Sequence, residues 1–406
     1  FAQVAHPIEE LAGEELAELG AVDIEPGYRG VHFKADALTL YNIVYQARIP
    51  TRVIAPLVTF DCHSDKYLYK RAQEVDWMTL IGTDRTFAIF ASVSASNITH
   101  SKYAALKLKD AIVDMIRDQV GTRPDVDRRE PDVSINLHIE NNRATISLDA
   151  AGQSMHRRGY RLDAMEAPLQ ETVAASIIRM TEWKADRPLL DPMCGSGTIL
   201  AEALMMATGT PSGYLHQSFG FEQFPDFDLW AWSARKKEID DAIKPIEKGL
   251  ISGSDIDSEA VRFARKNLSR LPHGDLVTLS RADYRDLDSF ENGVLVTNPP
   301  YGVRLNGGMR IEDFYKNLGD FFKQKCAGTT AYVYVGKPEL LKTVGLRTTW
   351  KKELVNGALD GRLARYDMYA GQREKDRLRR EAQATATEPE TTDTAEAPQG
   401  QEAQET

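Results

Sequence analysis

Residues 297 to 302 read Thr-Asn-Pro-Pro-Tyr-Gly and follow the apolar run Val294-Leu295-Val296. A buried strand that ends on two prolines gives up two backbone N–H groups in succession and stiffens the carbonyls it leaves behind. Asn298 adds a side-chain oxygen and Pro299 a main-chain one, two acceptors for the two N–H bonds of an exocyclic amine. An amine conjugated to a ring is a poor nucleophile, because its lone pair is delocalised. Two acceptors at the strand end favour a pyramidal nitrogen whose lone pair faces an electrophile. Tyr301 can stack on the ring and Gly302 makes room for it. Asn298, Pro299 and Tyr301 are therefore the candidate catalytic residues.

The electrophile has a candidate seat upstream. "LLDPMCGSGTILAEA" (189–203) sets a strand, an acid, two glycines and a helix in that order. Glycines at 195 and 197 let the backbone turn sharply and bring a ligand against the loop and the helix N-terminus. No Gly-Lys-Ser/Thr follows, and the second half of GxGxxG is missing, so neither nucleotide-binding loop fits. DPxCGSGT instead resembles motif I of class I S-adenosylmethionine-dependent methyltransferases, which makes Asp191, Gly195, Ser196, Gly197 and Thr198 candidates for cofactor binding. Asp255, ending "SGSDID", can accept both ribose hydroxyls. Asp283, in "SRADYRDL", is placed to accept from the adenine amino group, with Asp286 the alternative in the same stretch. Asp257, just before "SEAVRFARKN", reads as a helix cap. NPPY is the tetrapeptide that methyltransferases use on planar nitrogens. Methylation of a pyrimidine C5 would need a thiolate beside the base, and no cysteine lies near it. Cys194 reads as a small packing residue.

The elements that must position these residues alternate. After about residue 160 come a helix (168–182), a strand "PLLDPM", a helix (197–208), a Pro/Gly/aromatic segment (209–230), a helix (230–248), a strand "ISGSDI", a helix (258–270) and strands "VTLSRAD" and "GVLVTNPP". That order predicts an α/β fold with a parallel, doubly wound sheet and ligands beyond its C-terminal strand ends. The first sixty residues give smaller α/β structure: "PIEELAGEELAEL" and "DALTLYNIVYQAR" at helical spacing, "GVHFKA" alternating. From about 67 to 155, "FAIFASVSA", "DVSINLHIE" and "RATISLDAAG" read as strands and "KYAALKLKDAIVDMIRDQV" as a helix ending at the Gly121–Pro124 break. "ENNR" predicts a hairpin between the last two strands.

The net charge of −10 looks hostile to a polyanionic partner, but residues 381 to 406 hold seven acids and no Lys or Arg, and without them the charge is −3. That tail has almost no apolar content and is expected to be disordered. The remaining basic residues cluster: Lys102, Lys107 and Lys109; then Arg123, Arg128 and Arg129; then His156, Arg157, Arg158 and Arg161. Three clusters within about sixty residues, in a region with no enzymatic motif, predict a phosphate-binding face. Lys102, Lys107, Lys109, Arg128, Arg129, Arg157 and Arg158 are the RNA-binding candidates.

Three scattered cysteines and eight histidines without HxH or HExxH offer no disulfide framework and no metal spacing, and fit a reducing compartment. No apolar run approaches a membrane span, and the N-terminus has no signal-peptide pattern, so a cytoplasmic protein is expected. The sequence opens on Phe1 rather than Met, which leaves room for a preceding segment.

Along nearly its whole ordered length the chain resembles the THUMP-domain RNA guanine-N2 methyltransferases. The likeness lies in "FAQVAHPIEELAGEELAELGA", "HSKYAALKLKDAIVDMIRDQVGTRPDVDRREPDVSINLHI", "SMHRRGYRLDAMEAPLQETVAASII", "DPMCGSGT" and "NPPYG". It implies a ferredoxin-like subdomain (1–65), a THUMP domain that binds structured RNA (66–155), a Rossmann-like class I methyltransferase domain (156–370) and an acidic tail (371–406). It also implies S-adenosylmethionine as cofactor, 23S rRNA or a large-subunit precursor as partner, and methyl transfer to N2 of a guanine. Some members carry a second methyltransferase; this chain runs into its tail instead, so no second reaction on 7-methylguanine is expected of it. NPPY serves adenine N6 equally well, a tRNA guanine-N2 enzyme would share the THUMP region, and a protein glutamine amide is a further substrate for the motif. An RNA-binding assembly factor with a vestigial cofactor fold is the alternative outside enzymes.

Overall fold

The computed structural model describes residues 1–163, 169–301 and 309–369. Gly302 and the tail expected from residue 371 lie outside the described residues. In the N-terminal part, strands β1 (Ala2–Gln3), β2 (Val22–Gly27), β3 (Gly30–Lys34), β4 (Arg52–Asp61), β5 (Phe87–Ser94), β6 (Val133–Glu140) and β7 (Arg143–Asp149) form one sheet, ordered β2-β3-β1-β4-β7-β6-β5. The start of β4 pairs with β1 and the rest with β7. The two N-terminal units, expected to part after residue 65, thus share a strand and are continuous in hydrogen bonding. The hairpin at "ENNR" forms as a turn in which Asn141 and Asn142 take φ of 50° and 57°, the left-handed pair that matches the twist of flanking strands.

Helices α1 (Glu9–Glu18) and α2 (Ala37–Gln46) belong to the first unit; α3 (Asp65–Ala72), α4 (Trp77–Leu80) and α5 (Ser101–Val120) belong to the second. The buried stripe Ala104, Leu108, Ala111, Ile112 and Ile116 of α5 faces a core with Trp77, Phe87, Ile135 and Leu137. Gly121, at φ 79°, ends the helix where the sequence expects the break.

The second sheet holds β8 (Leu189–Asp191), β9 (Ile251–Asp255), β10 (Thr278–Arg281), β11 (Val294–Thr297), β12 (Thr330–Val335), β13 (Trp350–Asn356) and β14 (Leu359–Asp367), ordered β10-β9-β8-β11-β12-β14-β13. The first five in that order are parallel, and β14 and β13 close the edge antiparallel. Around it lie α6 (Glu171–Met180), α7 (Thr198–Thr208), α8 (Leu229–Asp241), α9 (Ser258–Leu268) and α10 (Ile311–Lys325). Every residue of β8, β11 and β12 is buried, which is why these strands read as continuous apolar runs rather than alternations. The chain leaves β8 toward β9 on one side and returns to its other side through β11. That reversal of strand order sets the C-terminal ends of β9, β8 and β11 side by side, and the candidate residues follow those ends.

Two sequence expectations need correction. The helix expected over 230–248 stops at Asp241, because Pro245 disfavours helical backbone at Lys244 and cannot donate to the carbonyl of Asp241. Beyond residue 302, where the sequence carries no expected element, α10 and the β12–β14 edge complete the domain.

Candidate active site

The loop from β8 to α7 is shaped by its two glycines. Gly195 (φ 53°) donates its N–H to Asp255 Oδ2 at 2.9 Å, tying the loop to the end of β9. Gly197 sits at φ 82°, and a Cβ there would stand 3.0 Å from Cβ and 3.2 Å from Cα of Ala264 on α9. Only glycine meets both demands. Asn267 of α9 then donates from Nδ2 to the Ser196 carbonyl at 3.0 Å, so α9 holds the loop from behind. Asn267 also accepts from Leu162 N–H at 2.9 Å, a link that no motif in the sequence signals.

The acids divide by environment. Asp255 is half-buried and accepts from the N–H groups of Gly195 and Asp257, with burial pushing its carboxyl above the usual range. Each of its oxygens accepts one of these bonds and keeps capacity for another. Asp283 is held in a bidentate pair with Arg285, which keeps its carboxyl below the usual range, while Asp286 is exposed. Asp257 caps α9 as expected, accepting from Glu259 N–H.

Asp191 departs from expectation. It is 1% exposed and lies beneath the loop, where it accepts from Met193 N–H at 3.2 Å. It shapes the loop rather than lining the space above it. Burial pushes its carboxyl up to about 7. Between about pH 4 and pH 7 the folded chain therefore holds a proton that the unfolded chain releases, and stability falls as pH rises through that window. Asp191→Asn should make the pH dependence of the urea midpoint shallower by about one proton; an unchanged slope would place the buried proton elsewhere. Cys194, 6% exposed and raised well above the ordinary thiol range by burial, packs as expected and is no nucleophile.

At the end of β11, Thr297 and Pro299 are buried and Asn298 and Tyr301 half-buried. Asn298 Oδ1 is shielded from solvent and has no hydrogen-bond partner among the described residues. A buried side-chain carbonyl left unpaired is costly, and marks a place where a partner is due. Tyr315 of α10 donates to the Pro300 carbonyl at 3.2 Å and fixes the path of the two prolines. The site thus joins a glycine cradle at β8, a half-buried carboxylate at β9 and an unsatisfied acceptor at β11. These features suit a ligand with ribose hydroxyls and a second one with an amino group.

The seven basic candidates do not form one face. Lys102, Arg128, Arg129 and Arg157 are exposed. Lys107 lies over the Tyr69 ring at 5.4 Å and Lys109 pairs with Asp110. Arg158 is a clear correction: it is 1% exposed, with Nε 3.4 Å from Glu202 Oε1 and its other nitrogens on the carbonyls of Met155 and Arg48. It is an internal tie between the linker, the N-terminal unit and α7. Arg161, from the same basic run, donates to Thr198 Oγ1 at 2.9 Å and to the Leu169 carbonyl. Alternating exposed and buried arginines in "HRRGYR" cannot be separated by composition alone.

Comparison with known proteins places this architecture. Residues 158–365 match the family described as the RMKL-like methyltransferase domain, 62–149 the THUMP domain and 1–54 the RlmL ferredoxin-like domain. The chain is 36% identical over 370 residues to a Synechocystis protein named as a candidate RNA methyltransferase, covering 91% of this chain and 96% of that one. It is also 36% identical over 375 residues to ribosomal RNA large subunit methyltransferase K/L of Photobacterium profundum, covering 91% of this chain and 53% of that larger protein. A candidate methyltransferase crystallised with S-adenosylhomocysteine superposes with TM-score 0.81 at 27% identity, over 90% of this chain and 97% of that one. A Listeria monocytogenes protein described as a predicted N6-adenine-specific DNA methylase gives 0.80 at 26% identity, over 90% and 95%. No helix among the described residues is long and apolar enough to cross a membrane. The chain belongs to the RlmKL-like family of THUMP-containing, S-adenosylmethionine-dependent RNA methyltransferases.

Proposed function

We propose that the chain transfers a methyl group to the exocyclic N2 of a guanine in 23S rRNA, acting in the cytoplasm on the rRNA or a large-subunit precursor. The observation that carries this reading is Asn298 Oδ1, buried and unpartnered at the mouth of β11. It can accept one N–H of a planar amino group while the Pro299 carbonyl accepts the other. S-adenosylmethionine supplies a methyl group already activated on a sulfonium. The chain's own task is then orientation: Gly195 and Gly197 give the close approach, Asp255 receives hydroxyls, Asp283 keeps one lone pair for an amino group, and Tyr301 stacks on a base turned out of its helix. The likeness to a large-subunit rRNA enzyme supports rRNA over tRNA.

Incubation with labelled S-adenosylmethionine and protein-free 23S rRNA, followed by nucleoside mass spectrometry, tests it. N2-methylguanosine is the expected product. N6-methyladenosine would overturn the base assignment in favour of the second reading, which the description of the Listeria relative favours. No product with intact cofactor binding would move the substrate to a precursor particle, a tRNA or a protein.

The exposed arginines give a separate expectation. Arg128→Ala with Arg129→Ala should weaken RNA binding and lower the slope of log K against log salt by about 1 to 2, since each phosphate contact contributes about 0.7–0.9. Lys107→Ala, whose ammonium lies over Tyr69, should leave that slope nearly unchanged. An unaltered slope in the double arginine variant removes this face from the reading.

A further inference from the structure

A cavity of about 1010 Å³ opens where three parts of the chain meet: the loop after α5 (129–132), the linker after β7 (151–161) and the segment between α7 and α8 (215–223). It lies at the upper end of the ~300–1,000 Å³ usual for a small-molecule pocket. One end reaches Gln170 and Glu171 at the start of α6, beside Arg161. The Arg161 guanidinium is bonded to Thr198, the first residue of α7 and the end of the cofactor loop. That bond ties one end of the cavity to the start of α7, and the loop at 129–132 carries its lining into the second N-terminal unit.

Its charges balance. Arg129, Arg157 and Arg161 line it together with Glu130, Asp132 and Glu171. Arg161 is paired with Glu171 at 3.4 Å, and Asp132 accepts from the N–H and hydroxyl of Thr86. The Arg129 and Arg157 guanidiniums make no hydrogen bond or ion pair among the described residues, Arg129 having only the nearby charge of Asp127. The rest of the polar lining is neutral. The side-chain amides of Gln153, Gln217 and Gln223 have no hydrogen-bond partner among the described residues and can donate and accept at once. His216 holds one ring nitrogen on the Arg157 carbonyl at 2.7 Å and keeps the other free. Burial holds its ring below the ordinary histidine range, so it is uncharged at neutral pH. Free amides and a neutral imidazole match base edges, whose donors and acceptors are exposed only where RNA is single-stranded. A phosphate track would need more unpaired cations than two.

We propose that this cavity seats the single-stranded nucleotides adjoining the target base and reads their edges through Gln153, Gln217 and Gln223, with Arg129 and Arg157 holding the intervening phosphates. The inference rests on the proposed RNA methylation and assigns sequence selection to a place distinct from NPPY.

Transcribed 23S rRNA in which the nucleotides flanking the modified position are varied singly, methylated by the full chain, tests it. The wild type should discriminate on the order of tenfold at one or more flanking positions. Gln153→Ala with Gln217→Ala should reduce that to about twofold by lowering the rate on the favoured sequence toward the rate on the others, with the salt slope unchanged. Both residues are exposed, so the variant should melt with the wild type. Equal rates on all flanks in the wild type, or unchanged discrimination in the variant, overturns the proposal, as does a uniform loss with a lower salt slope. In a second measurement, 4-thiouridine at the flanks should cross-link to residues 151–157 or 215–223; cross-links confined to α5 or β5 also overturn it. The modified nucleoside is identified in the same reactions. An adenine product would thus refute the guanine reading while leaving the groove test intact.

Discussion

Asn298→Ala should lower methyl transfer by about 10²–10³-fold, the scale for removing one oriented polar group from a reacting centre. S-adenosylmethionine affinity and the melting temperature should stay close to wild type. Most buried polar side chains have a partner inside the protein, so deleting them leaves an orphan behind and destabilises the fold. Asn298 Oδ1 has none among the described residues, so its loss orphans nothing. The whole cost should then appear in turnover. Asn298→Asp, which keeps acceptors at the same place, should lose less than Ala. Joint loss of turnover, cofactor binding and thermal stability would instead make Asn298 a structural residue of the strand end.

Arg158→Ala should cost about 3–5 kcal/mol of stability, the range for breaking a buried pair from one side. Glu202 is 0% exposed and has one oxygen shared by Arg158 and Tyr160 and the other unpartnered. Removing the guanidinium leaves that carboxylate buried with only the Tyr160 hydroxyl and the nearby Arg48 charge, and frees the carbonyls of Met155 and Arg48. Arg157→Ala, one residue away and exposed, should change stability by no more than about 0.5 kcal/mol. Arg158→Met with Glu202→Leu should recover most of the loss, because replacing both partners removes the uncompensated charge. Chemical denaturation reads all three. A stable Arg158→Ala protein with a lower salt slope for RNA would restore Arg158 to the RNA face and refute the internal role.

The comparison of Arg157 with Arg158 shows where a one-dimensional reading stops. The motifs were legible because their chemistry is local: a strand, a turn that demands left-handed glycine, and a strand end that gives up its N–H groups all act within a few residues. So were the alternation of elements after residue 160, the hairpin at Asn141-Asn142 and the helix end at Gly121. Asp191 was legible as part of a motif but not as a buried group, because its depth depends on β9 and β11 closing over it on either side.

What the sequence by itself determined, then, is the set of candidate residues and their setting: the glycine turn after β8, the acid at the end of β9 and the acceptors of NPPY, together with the parallel sheet that brings them to one edge. What only the tertiary structure decided is the fate of the basic residues. Which guanidiniums meet solvent, which tie the linker to α7, and where neutral amides gather into a groove depend on how the shared strand β4, the linker and α7 pack. Charge is written in composition, but burial is set by contacts between segments far apart in the chain, and burial decides whether a cation binds a partner or holds the protein together.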